Sequence, residues 1–127
     1  MNKEIIVSIQ GKNYTVSYPK VGQQIRLESR RFELSGGFYS DMGSSMAVET
    51  FNALELMDAI SFFEVMCPSM FRDMKVANPM LLDSLDALEI VGEYRNKIRP
   101  WYNEWLKKFK ETYDSYIKLE DKLEDTK

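Results

Sequence analysis

Cys67, the only cysteine of the chain, is the first candidate for chemistry, because a thiolate is both a nucleophile and a metal ligand. To form a thiolate, the Cys67 thiol would need a base and an electropositive setting. The neighbouring residues Val65, Met66 and Pro68 supply neither, so we expect a buried, inert thiol. A lone cysteine also cannot form an internal disulfide, so the fold does not depend on an oxidising compartment.

Glu55 and Asp58 are the second candidate, since they lie three positions apart on a predicted helix. Such a pair could act as acid and base or bind a hard cation. Carboxylates at this spacing are common on helix surfaces, and we favour a structural role. The chain has no histidine, the commonest general base and metal ligand, and neither a P-loop nor a G-x-G-x-x-G motif. We expect no enzyme activity, no cofactor and no metal.

Residues 95–110 combine basic and aromatic side chains, a mixture that can bind single-stranded nucleic acid. The basic members are Arg95, Lys97, Arg99, Lys107, Lys108 and Lys110, and the aromatic ones are Trp101, Tyr102, Trp105 and Phe109. The aromatic residues fall on one helical stripe with the aliphatic Ile98 and Leu119, which favours packing over base stacking. The net charge of -3 supplies no general attraction for a polyanion. Nucleic-acid binding remains an alternative.

A β-hairpin over residues 4–19 is the first element expected to position these side chains. Apolar and polar residues alternate, and Gly11 with Lys12 suits the centre of a type II′ turn. This register pairs Ile9 with Tyr14, Val7 with Val16 and Ile5 with Tyr18. One face of the hairpin is therefore apolar and must be covered.

Helices are predicted at residues 23–35, 46–66, 79–99 and 100–124, with a loop from Phe38 to Ser45. Their boundary signals are Gly36-Gly37 and Pro68, and the third helix should start at Pro79 after the cap Asn78 or, with Asp83 as the cap, at Ser84. Pro100 predicts a kink or a short break. The predicted fold class is α+β, a single domain in which an N-terminal β-hairpin precedes a mainly α-helical body with a long C-terminal helix.

The second predicted helix has a polar residue at every third position: Glu49, Asn52, Glu55, Asp58, Ser61 and Glu64. A helix with one buried face would alternate steps of three and four. Each step of three residues falls about 60° short of a full turn around the helix axis. The two halves of the helix therefore present their apolar residues in different directions. Either two parts of one core hold this helix, or another chain covers one side.

The last predicted helix carries a stripe at coiled-coil spacing: Ile98, Tyr102, Trp105, Phe109, Thr112, Tyr116, Leu119 and Leu123. The stripe either packs against the hairpin of the same chain or contacts a helix of another chain, which could be a second copy. Aromatic residues are favoured at interface centres. The predicted partner contacts are Ile98, Tyr102, Trp105, Phe109, Tyr116 and Leu119.

Length and composition are those of one globular domain, with 127 residues of which 44% are hydrophobic and 29% charged. No run of eighteen apolar residues occurs, so no membrane span is expected. The first ten residues lack the features of a secretory signal. We expect a cytoplasmic protein.

Three segments resemble small tail-assembly chaperones of tailed bacteriophages: the hairpin IIVSIQGKNYTVSYP, the helix end FELSGGFYSDM and the second helix ALELMDAISFFEVMCPSM. The resemblance covers roughly the first 75 residues. It implies a non-enzymatic protein that coats the apolar length of a tape-measure protein in the host cytoplasm. The implied contact positions are Phe38, Tyr39, Met42, Phe62 and Phe63.

The long helix after Pro79 departs from the compact pattern of that family. It favours an alternative, a structural component of the virion such as a head–tail connector or an internal capsid protein. In both cases the predicted partners are other protein chains, including copies of this one. The leading hypothesis is therefore a protein-binding protein, with nucleic-acid binding as the further alternative.

Overall fold

The chain forms a two-stranded hairpin followed by a mainly helical body. The structure, a computed structural model of the chain, describes residues 3–37 and 48–125, with side chains at 3–37 and 52–117. Its elements are β1 (Glu4–Ile9), β2 (Lys12–Ser17), α1 (Val21–Leu34), α2 (Val48–Met66), α3 (Pro68–Asp73), a 3-10 turn (Pro79–Leu81), α4 (Ser84–Glu93), a π-helical turn (Tyr94–Ile98) and α5 (Arg99–Asp125). The α+β class is confirmed. The loop predicted from Phe38 and the predicted helix start at residue 46 lie outside the described residues.

The hairpin has its predicted buried face but not its predicted register. Val7 pairs with Tyr14 and Ile5 with Val16, two positions away from the expected partners. The turn is centred on Gln10 and Gly11, which have φ of 51° and 77°, as a type I′ turn requires. The predicted type II′ turn at Gly11 and Lys12 is therefore wrong. Moving the turn by one residue shifts the pairing by two, and this keeps the same side chains on the same face.

The apolar face of the hairpin lies on the core, where Val7, Ile9 and Val16 are buried. The outer edge of β1 lies against α4. There the Glu93 carboxylate accepts a hydrogen bond from the Ser8 N–H at 2.8 Å, and Glu89 accepts one from the Gln10 N–H at 2.8 Å. Helix α4 thus satisfies strand donors that would otherwise offer a pairing edge.

The polar residues of α2 explain how this helix is held from two sides. Asp58 and Glu64 form ion pairs with Arg31 and Arg30 of α1, at 3.3 and 2.9 Å. Glu55 points to the other side and pairs with arginines of the C-terminal helices. Between these polar contacts, Phe62 and Phe63 are fully buried. Two parts of one core therefore hold α2, the first of the two alternatives that its periodicity left open.

The predicted boundary signals act where expected. Pro68 follows the end of α2 and begins α3, a short helix between the segments predicted as helices at residues 46–66 and 79–99. The Asn78 side chain accepts a hydrogen bond from Met80 N, and Asp83 accepts one from Leu85 N at 2.8 Å. Of the two predicted starts of the third helix, Ser84 is where α4 begins, and Pro79 begins a separate 3-10 turn.

Pro100 does not break the C-terminal helix. A π-helical turn, Tyr94–Ile98, comes immediately before it, and the Arg99 N–H donates to the Tyr94 carbonyl five residues earlier. A proline in a regular helix clashes with the carbonyl four residues back. The wider turn relieves this conflict and keeps α4 and α5 continuous. No helix in the described part of the chain is both long and apolar enough to cross a bilayer.

Candidate protein-binding site

An open groove of about 630 Å³ lies between α2 and α4. Along α4 its lining runs from Ser84 to Val91, the π-helical turn adds Arg95, and the 3-10 turn contributes Pro79 and Met80. Its apolar lining residues are Ala53, Leu56, Met57, Ile60, Pro79, Met80, Leu82, Ala87, Leu88 and Val91. An apolar groove between two helices is the geometry that accepts an amphipathic helix of a partner.

Large apolar side chains around this groove are exposed to solvent. Leu56, Met80 and Leu88 line it and are all exposed, Leu88 to 63%. Leu81 and Leu85, next to them in the chain, are exposed as well. Single exposed leucines are ordinary, but a contiguous set beside a groove is typical of an interaction site. We call these five residues with the groove the α2–α4 surface.

Glu55 is a buried, ionised residue of the groove lining. Its side chain is only 5% exposed, and its carboxylate pairs with Arg95 and, at 3.2 Å, with Arg99. Burial raises the pKa of Glu55, but hydrogen bonds and charge from the two arginines outweigh burial and leave the pKa below its ordinary value. These two ion pairs link α2, one wall of the groove, to the π-helical turn and α5.

Helix α5 carries a second apolar surface. The rings of Trp105, Phe109 and Tyr113 follow one another, with centroids 5.3 Å apart between the first two and 6.4 Å between the last two. Exposure rises along the helix, from 44% at Phe109 to 56% at Tyr113 and 67% at Tyr116. We call Trp105, Phe109, Tyr113 and Tyr116 the aromatic ladder.

The structure divides the predicted partner contacts into three groups. Phe62, Phe63, Ile98 and Tyr102 are buried in the core, so a partner could reach them only if the fold opened. Trp105 is half-buried, and Phe109 and Tyr116 are exposed. Phe38, Tyr39 and Met42 lie outside the described residues, as does the side chain of Leu119.

Neither the α2–α4 surface nor Tyr113 of the aromatic ladder was predicted from the sequence. A strict three-four stripe assigned Thr112 where the structure places Tyr113. The signal for the groove is the composition of α4, in which Leu85 and Leu88 add to an already apolar helix. One buried face does not need so many apolar residues, and the excess is what lies exposed.

The candidate chemical groups are separated or enclosed. Glu55 and Asp58 contact different helices, Arg95 and Arg99 on one side and Arg31 on the other. Cys67 is buried, with its Sγ 3.8 Å from the Ser69 hydroxyl. Within residues 3–37 and 52–117, whose side chains the structure describes, no three potential ligand side chains lie close enough to hold a metal ion. Comparison with protein families, curated proteins and solved structures finds no match to the chain.

Proposed function

We propose that this chain is a non-enzymatic protein-binding protein that seats an amphipathic helix of a partner in the α2–α4 surface. The observation that carries the proposal is the apolar groove of about 630 Å³ flanked by exposed leucines. Contacts of this kind bury apolar side chains at positions one helical turn apart. No reacting group is required of the chain.

The lining of the groove defines the chemistry of the partner further. The lining is mostly apolar, and its two charged residues, Glu55 and Arg95, are paired with each other. The acidic residues of α4 do not line it. The occupant is thus an amphipathic helix that binds through its apolar face and keeps its polar face in solvent.

The more specific form of the proposal is a phage tail-assembly chaperone acting in the host cytoplasm. It rests on the resemblance of the hairpin and of the helix ends to that family. In this form the bound helix belongs to a tape-measure protein, a long helical protein that exposes apolar segments before tail subunits enclose them. The groove supplies a surface on which such a segment can be kept away from water.

Co-expression tests this form of the proposal. The chain is expressed with helical fragments of a tape-measure protein encoded in the same genome, and the soluble fraction of the fragment is measured. We expect the wild type to raise that fraction and Leu88→Glu to abolish the effect. Ile25→Glu is the matched control, because Ile25 on α1 is 62% exposed and lies outside the groove lining.

Two results would contradict the chaperone. One is a tape-measure fragment that stays insoluble with the wild type. The other is the chain found in stoichiometric amounts in purified particles, which would favour the structural virion component, since a chaperone leaves before the particle is complete.

A further inference from the structure

We propose that a second copy of this chain covers the aromatic ladder, with the two α5 helices packed antiparallel. This surface is distinct from the α2–α4 surface, so one face serves self-association and the other the foreign partner. The inference goes beyond the proposed function and does not depend on it.

The exposed length of α5 is suited to pairing with another helix. From Leu106 to Ile117 every described side chain is exposed except Asp114, which is half-buried. The ladder extends about 16 Å from Trp105 to Tyr116, at the rise of an α-helix. Leu106 and Ile117 are also exposed, and at a spacing of eleven residues they lie along the same side of the ladder. A strip of this composition is typical of a helix–helix interface.

The direction of pairing follows from the charge distribution along α5. Lys107, Lys108 and Lys110 come first, and residues 111–125 then carry six acidic and two basic residues, a net charge of −4. A parallel pair would place the lysines of both copies side by side. An antiparallel pair centred near Thr112 separates the two lysine clusters and places each opposite residues 114–117 of the other copy, where the charged residue is Asp114.

The ladder also selects a register. With the two-fold axis near Thr112, Phe109 lies opposite the partner's Tyr116, and Lys110 lies beside the partner's Asp114. The same register brings Leu106 close to the partner's Ile117. Aromatic and aliphatic residues then meet along the centre, and opposite charges flank them.

Sedimentation equilibrium tests whether the dimer exists. Between about 1 and about 100 µM, a range that covers micromolar Kd values, we expect wild-type chain to form dimers. The double variant Phe109→Ser/Tyr116→Ser is expected to weaken association at least tenfold, while Ile25→Glu, at an exposed position of α1, leaves it unchanged. A monomer throughout this range overturns the inference, as does an unchanged dimer in the double variant with its circular dichroism intact.

Disulfide trapping tests the direction of the helices. In a Cys67→Ser background, Leu106→Cys chains alone should not cross-link, since an antiparallel pair separates the two sites by about 18 Å and a disulfide needs Cα atoms within about 7 Å. A mixture of Leu106→Cys and Ile117→Cys chains carrying different tags should give the mixed disulfide. Cross-linking of Leu106→Cys with itself, without the mixed product, would mean a parallel pair and overturn the assignment.

Discussion

The Glu93 carboxylate on α4 accepts a hydrogen bond from the Ser8 N–H of β1 at 2.8 Å. A side chain of one element thereby occupies the edge of another, 85 residues away in sequence. Burial raises the pKa of Glu93, while hydrogen bonds from Lys97 and the Ser8 N–H, with the charge of Lys97, lower it below its ordinary value. The contact fixes α4 against the hairpin, and α4 forms one wall of the groove.

Removing this carboxylate should expose the strand edge. For Glu93→Ala we expect hydrogen exchange at the Ser8 amide to accelerate about tenfold or more, because a hydrogen bond to a charged group contributes on the order of 1.5–3 kcal/mol. Hydrogen exchange at the Ser8 amide is measured by NMR in wild type and in Glu93→Ala. Glu89→Ala is the control and should accelerate exchange at Gln10 instead. Unchanged exchange at Ser8 would mean that the contact does not persist in solution.

The stacking of Tyr18 on Trp101 joins the hairpin to α5. The ring centroids lie 4.5 Å apart and the planes are inclined by 13°. Because Trp101 is buried, Trp101→Ala should lower the free energy of unfolding by about 3–5 kcal/mol. Urea denaturation measures the loss, with Leu81→Ala, an exposed position, as a control expected to change stability by less than about 0.5 kcal/mol.

Glu55 should contribute a pH-dependent part of the stability. Its pKa in the folded chain is lowered, so its contribution is present above the unfolded pKa of about 4.3 and is lost as pH falls through the folded value. At pH 7, Glu55→Gln should be less stable than wild type by on the order of 1–3 kcal/mol. The difference in free energy of unfolding between wild type and Glu55→Gln, measured by urea denaturation, should become smaller as the pH is lowered toward 3. A difference that is constant from pH 7 to pH 3 contradicts the ion-pair account.

Gly11 is required by the turn. With φ of 77° it lies in the left-handed region, so Gly11→Ala should destabilise the chain by roughly 1 kcal/mol. Gly22 lies in α1 without positive φ and with no atom near an added Cβ, and Gly22→Ala should be neutral or stabilising by up to about 1 kcal/mol. Thermal unfolding of both variants checks the comparison. Equal effects would contradict the type I′ turn.

Local signals were sufficient for much of the fold. Asp83 could be recognised as a helix cap and Pro68 as a boundary, because both act within one turn of the chain. The hairpin register was missed because sequence alone does not say that Gln10 adopts positive φ. Pro100 was predicted to cause a kink or a short break, and the break does not occur because a π-helical turn precedes the proline. The π-helical turn that accommodates it has no distinct residue pattern.

The candidate site was less accessible to prediction, since it depends on which apolar residues the core leaves uncovered. Phe62 and Phe109 are both large and aromatic, yet one is fully buried and the other exposed. Leu88 is part of a groove because α2 lies beside α4, where Glu55 of α2 also pairs with Arg95. Such relationships arise from packing between distant segments, which periodicity within one helix does not report.

Binding of an amphipathic helix in the α2–α4 surface is tested most directly by titrating isotope-labelled chain with a peptide. The peptide has about 20 residues, enough for a helix about 30 Å long, with leucines on one face and polar residues on the other. We predict amide shift changes centred on Leu56, Met57, Leu88 and Val91, lost in Leu88→Glu and retained in Ile25→Glu. Shift changes spread over the surface, or an equal response in both variants, would contradict the account.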